Sequence, residues 1–214
     1  MPEVIPFFDI EAVARTDIPK EALPKFKPPA NIKDKKKIEE REVEFYKKLP
    51  EKLAVDPFYA KIICIQFYLG SKLGSKTDTY IGAIADEAEC LKLFWDIAKK
   101  YEANLGGFNI YGYDLPLILT RSIQLGIKST INIDLNKYRR TFHDVMYALC
   151  NNDLSKAKGL DTYARLFNVG NKTLEASDIP KLVEEENWGL IEEYCRNDAK
   201  LAHDLYQKVN YYFM

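Results

Sequence analysis

The sequence predicts a single α/β domain built on a mixed sheet. Three observations lead there. Two stretches rich in β-branched and aromatic residues, 59–69 and 79–84, form a hairpin followed by an amphipathic helix. Short strands then alternate with helices. The last long helix carries one apolar stripe with a carboxylate in its middle. At 214 residues, 47% of them hydrophobic, the chain can bury a sizeable core. We read 1–214 as one domain with a Lys/Pro-rich insertion at 19–50.

In chain order, Val4–Ile10 reads as a buried strand, which sends Asp9 and Glu11 out of the same face. Two neighbouring acids repel each other and lose hydration on burial, so either a cation compensates them or the strand leaves the core there. Pro19, Pro24, Pro28 and Pro29 rule out regular structure early in the insertion, and Lys35–Lys48 reads as a charged helix capped by Asp34. Between Lys20 and Lys37 stand seven lysines and two acids, giving either a solvated loop or a basic flap that meets a phosphate backbone.

Tyr59–Leu69 and Thr79–Ile84 are the hairpin strands, joined by a turn over Gly70–Asp78. Asp86–Tyr101 is a helix with Ala88, Leu91, Trp95 and Ala98 at helical spacing. Leu105–Phe108 is a short strand and Asn109–Tyr113 a tight connection. Pro116 fits the first turn of a helix that ends at Gly126. Ile131–Tyr138 reads as a strand running into the basic cluster Lys137-Tyr138-Arg139-Arg140. Asp144–Cys150, Leu160–Phe167 and Asp178–Glu186 read as helices, with Asn168–Ser177 a loop before the third of them. The last helix starts near Trp188 and runs to about Phe213.

That last helix holds the least comfortable residue. Ile191, Tyr194, Asp198, Leu201, Leu205 and Val209 recur every three or four positions and form its apolar face. An ionised Asp198 there needs a metal, a protonated state or a cation such as Arg121, unless it lies at the stripe's edge. Asp114, just before Leu115-Pro116, is either a metal ligand or a helix cap.

Composition narrows the class. A net charge of −1 argues against a general polyanion-coating protein, yet a local basic groove remains compatible with it. The N-terminus has no signal-peptide pattern, and no apolar run approaches the ~20 residues that span a bilayer. The expectation is a cytoplasmic protein with no membrane partner. The four cysteines (Cys64, Cys90, Cys150, Cys195) form no Cys-x-x-Cys pair and read as reduced thiols in or near the core. With only two histidines, His143 and His203, no zinc site is expected.

Together, Phe8-Asp9-Ile10-Glu11, Asn109-x-x-x-Tyr113-Asp114 and Tyr194-x-x-x-Asp198 resemble the three motifs of the DEDD nuclease superfamily, in its tyrosine-containing (DEDDy) branch. They resemble in particular the stand-alone predicted 3′–5′ exonucleases related to the proofreading domain of family B DNA polymerases. The histidine branch would carry a histidine where this chain has Glu193. The resemblance implies a ribonuclease H-like fold with a mixed five-stranded sheet flanked by helices. It implies Asp9, Glu11, Asp114 and Asp198 as ligands of two divalent ions, Mg2+ with Mn2+ able to substitute. Asp9 would bridge both ions, Glu11 and Asp198 would complete the nucleophile side, and Asp114 would hold the second. Tyr194 would orient the attacking water and Asn109 the terminal nucleotide. Phe108 and Tyr111 are candidates to stack bases, unless they are core residues. The implied reaction is stepwise release of nucleoside 5′-monophosphates from a single-stranded 3′ end, DNA before RNA, with a polymerase or a replication or repair factor as a possible separate partner. A non-catalytic nucleic-acid-binding module on the same fold is the alternative.

Overall fold

The computed structural model describes residues 4–71, 78–133 and 141–213. Its centre is a five-stranded sheet of β1 (Phe7–Ala14), β2 (Ala60–Ser71), β3 (Asp78–Ile84), β4 (Gly106–Gly107) and β5 (His143–Asp144), in the order β3-β2-β1-β4-β5. The β1–β2 and β2–β3 pairs are antiparallel, and β1–β4 and β4–β5 are parallel. This mixed five-stranded sheet agrees with the ribonuclease H-like fold that the resemblance implies. Around it lie α1 (Lys35–Ala54), α2 (Glu87–Lys100), α3 (Asp114–Leu125), α4 (Val145–Leu149), α5 (Leu160–Leu166), α6 (Ile179–Glu184) and α7 (Trp188–Phe213).

Local chemistry accounts for most of the element boundaries. Asp34, Asp86 and Asp144 cap α1, α2 and α4 by accepting backbone N–H groups of the first turn. Gly126, at φ 68°, ends α3 in the left-handed region that favours glycine. Helix α1 outlasts its expected end at Lys48 and runs through Pro50 to Ala54. Burial of Leu53 and a hydrogen bond from the Tyr113 hydroxyl to the Ala54 carbonyl (2.8 Å) hold that final turn.

Two expectations change. Residues 131–133 form no strand, and the rest of the segment to Tyr138, with the basic cluster 137–140, lies outside the described residues. The fifth strand is instead His143–Asp144, where the His143 N–H donates to the Leu105 carbonyl (2.8 Å). Arg121 does not reach Asp198. Its guanidinium grips Glu87 at 2.7 Å in a buried ion pair, and Glu87 also accepts the Ile62 N–H (2.8 Å), which ties α2, α3 and β2 together.

The core fills both faces of the sheet. Phe7, Phe8, Phe67, Phe94, Trp95 and Leu105 pack in one cluster, and a smaller one gathers Ile63, Ile179, Ile191 and Cys195 beneath α7. All four cysteines are buried and free. No helix among the described residues is long and apolar enough to cross a membrane.

Strand β4 is two glycines because neighbours press on both: a Cβ at Gly106 would overlap the Phe7 ring, and one at Gly107 the Ile110 side chain and the Phe8 carbonyl. Gly106→Ala is therefore expected to destabilise the protein by ~2 kcal/mol, the usual cost of overpacking, as measured by urea denaturation.

Candidate active site

Strand β1 lies at the middle of the sheet and presents Asp9 opposite Gln66 and Glu11 opposite Cys64. A register shift follows Glu11, at a bulge in the pairing with β2. Helix α7 crosses over β1 and lowers Tyr194, Cys195 and Asp198 onto the same place. The Cys195 thiol donates to the backbone carbonyl of Asp9 (3.2 Å), fixing the crossing point. Single ligand atoms of Asp9, Glu11 and Cys195 lie within 4.8 Å of one another. Asp114 joins from the start of α3, 4% exposed. It does not cap that helix: Tyr113 occupies the capping position and Asp114 is the first helical residue.

The expected residues border one cleft with two lobes. The larger, about 370 Å³, is lined by Asp9, Glu11, Tyr113, Lys172, Tyr194 and Asp198, and is walled by Glu51, Ala54 and Val55 at the end of α1. The smaller, about 220 Å³, shares Asp9, Lys172 and Asp198 and adds Phe108, Asn109 and Asp114. Asn109 sits in a left-handed turn (φ 59°). Gly112 must be a glycine there, since a Cβ would overlap the Asn109 amide. Tyr111 belongs to the core instead. It is 8% exposed, its ring packs on Phe142 and Tyr147, and its hydroxyl accepts the N–H groups of Thr141 (3.0 Å) and Phe142 (3.1 Å). It offers no face to a base.

Electrostatics define the cleft. Burial, then the Asp198 charge, pushes Asp9 up from an ordinary 3.8 to about 8. Burial and the neighbouring acids also raise Glu11 and Asp114 well above their usual range. Asp198 is raised to about 6 by burial, held there by Lys172, whose ammonium lies 2.5 Å from its Oδ2. Burial pulls the Lys172 ammonium down, but Asp198 and Tyr194 outweigh it and hold the group above its ordinary value. The same ammonium sits 4.7 Å from the Tyr194 ring centre. Burial and Asp198 raise the Tyr194 hydroxyl well above its ordinary 10, so it stays protonated. Two carboxylate oxygens, Asp9 Oδ2 and Asp198 Oδ1, are buried without a hydrogen-bond donor. Rich in carboxyl oxygens and short of donors, this site suits hard divalent cations.

Three contributors were not legible in the sequence. Lys172 lies in the loop after α5, tied by its own N–H to Asp161 Oδ1 (2.9 Å), and nothing in that loop's composition marks it. Glu51 reaches the cleft only because α1 passes Pro50. Asp144 binds the turn that carries Asn109, accepting the N–H groups of Asn109 (3.0 Å) and Tyr111 (3.1 Å) while capping α4. An acid just before a helix start was the available hint for Asp144.

Two outcomes are expected. A carboxyl raised on folding binds its proton more tightly in the native chain, so its contribution to stability is full below about pH 4 and is lost as pH climbs through the folded values of about 6 for Asp198 and about 8 for Asp9. The melting temperature of metal-free protein should therefore fall between pH 5 and pH 8. Added Mn2+ should restore it most at the alkaline end, by ~3 kcal/mol at a hundredfold excess over Kd. Lys172→Met should lower metal-free stability by ~3 kcal/mol by stranding Asp198, with Mn2+ recovering more than in wild type; calorimetry with and without the ion measures both.

No curated protein matches the chain. A family model does, over residues 57–212, and it describes a predicted 3′–5′ exonuclease related to the exonuclease domain of PolB. Asn109, Asp114, Lys172, Tyr194 and Asp198 fall within the matched residues, whereas Asp9, Glu11 and α1 precede them. A sheet of this order, a helix that carries Tyr194 and Asp198 across its central strand, and a match over most of the length have one reading: the chain belongs to the family of predicted 3′–5′ exonucleases related to the exonuclease domain of PolB.

Proposed function

We propose that the protein is a metal-dependent exonuclease that removes nucleotides one at a time from the 3′ end of single-stranded DNA as nucleoside 5′-monophosphates. The carrying observation is the pair of donor-less buried oxygens on Asp9 and Asp198, two residues that line one cleft from β1 and α7. Asp9, Glu11, Asp114 and Asp198 would hold two divalent ions, with Mg2+ the natural fit and Mn2+ a substitute. Such a pair, when bound, supplies hydroxide at neutral pH and stabilises the leaving 3′-oxygen.

The protein's own groups do the remaining work. Tyr194 stays protonated at neutral pH, so it orients water by hydrogen bonding and does not act as a base. Lys172 keeps Asp198 ionised and places a positive charge beside the cleft, where a phosphodiester anion must enter. Asn109 and Phe108, lining the smaller lobe, take the terminal nucleotide. The family's relation to the exonuclease domain of PolB supports DNA as substrate.

The test is a time course on 5′-labelled single-stranded DNA and RNA, with Mg2+, Mn2+ or EDTA. Stepwise shortening from the 3′ end, abolished by EDTA and lowered more than about a hundredfold in Asp9→Ala, is the expected result; losing only a ligand's supporting partner already costs roughly 10–100-fold. Equal degradation by the variant would overturn the assignment, and preferential cleavage of RNA would change the substrate.

A further inference from the structure

We propose that α1 and the segment before it form an upstream subsite that grips the single-stranded nucleic acid a few nucleotides from the cleaved end. The proposal rests on the exonuclease reading and extends it to residues outside the family match, which starts at residue 57.

Arg41, Phe45, Lys48 and Lys52 recur at i, i+4, i+7 and i+11 on α1, so they form one stripe along the helix. Phe26 and Pro29, from the proline-rich segment, face that stripe and close a hollow of about 350 Å³, within the range of small-ligand pockets. Its floor is aromatic. The Phe26 and Phe45 ring centres are 5.8 Å apart; Tyr46, 48% exposed, lies outside the hollow with its ring 5.2 Å from that of Phe45. The Lys52 ammonium lies 5.4 Å from the Phe45 centre. Glu44 is the acid in the hollow, paired with Lys48 at 2.7 Å; both are more than half exposed, so the pair contributes little and a phosphate can displace it.

Rings beside cations are the chemistry of single-strand grooves, where bases stack and ammonium or guanidinium groups track phosphates. Charge supports this occupant. Lys20, Lys25, Lys27, Lys33, Lys35, Lys36 and Lys37 are all exposed on the same segment, with only Glu21 and Asp34 among them. The subsite also neighbours the catalytic cleft along α1. Glu51, which walls that cleft, follows Lys48 by one helical turn and directly precedes Lys52. A strand whose 3′ end lies at Asp9 and Asp198 thus leaves along α1.

The test compares wild type with Arg41→Glu/Lys52→Glu and with Phe45→Leu, which keeps an apolar side chain on the helix and removes the ring. Helical circular dichroism confirms that each variant is folded. Fluorescence anisotropy with labelled oligo(dT) in EDTA reads binding without turnover. The expected result is a Kd raised about tenfold in each variant. In the charge variant, the slope of log K against log salt should flatten by about 0.7 for each phosphate that is no longer neutralised. In Mg2+ the loss should fall on KM rather than kcat. Wild-type Kd and salt slope in both folded variants would overturn the subsite while leaving exonuclease activity standing. Wild-type protein that binds oligo(dT), loses binding in the variants and cleaves nothing would sustain the subsite and overturn the exonuclease reading.

Discussion

The structure depends on an unfavourable contact. Helix α7 and strand β1 bring Asp198 against Asp9 and Glu11 in a buried place where like charges repel and water is scarce. Left alone, such a contact would push the helix off the sheet. The surrounding structure prevents this in two ways. Apolar packing of Ile191, Cys195, Leu201 and Leu205 holds the helix in place, and Lys172 supplies one compensating positive charge. One lysine does not offset four carboxyls, and burial with mutual repulsion raises the proton affinity of Asp9, Glu11 and Asp114. Stability is given up at the one point where these acids meet.

The second and third motifs are held by different means. Asn109 needs a left-handed backbone, a glycine at 112 and the Asp144 carboxylate under its turn. Tyr194 and Asp198 need only the regular geometry of a helix. The site therefore combines a rigid, hydrogen-bonded turn on one side with a packed helix on the other, and β1 between them sets the register.

How much of this was legible in the sequence follows from the range of the forces involved. Hairpin, caps and helix periods are local, and Thr79–Ile84, the Asp34 cap and the Gly126 stop lie where residue chemistry puts them. The discomfort of Asp198 was legible because an acid on an apolar stripe is itself a local pattern. Its partner was not, because Arg121 and Lys172 are equally eligible until the fold sends Arg121 to Glu87. The fifth strand was missed because two residues, His143–Asp144, carry no periodicity. Tyr111 was ambiguous because an aromatic beside an active-site turn reads alike whether it faces solvent or core.

The hydrogen bond from Cys195 to Asp9 spans 186 positions of chain. Closing a loop of that length carries an entropic cost that the packing of α7 on β1 must offset. During synthesis, β1 leaves the ribosome long before α7 exists. A nascent chain therefore carries Asp9 and Glu11 without Asp198, Tyr194 or Lys172. The cleft is therefore incomplete while the chain is being made, and the docking of its last helix completes it.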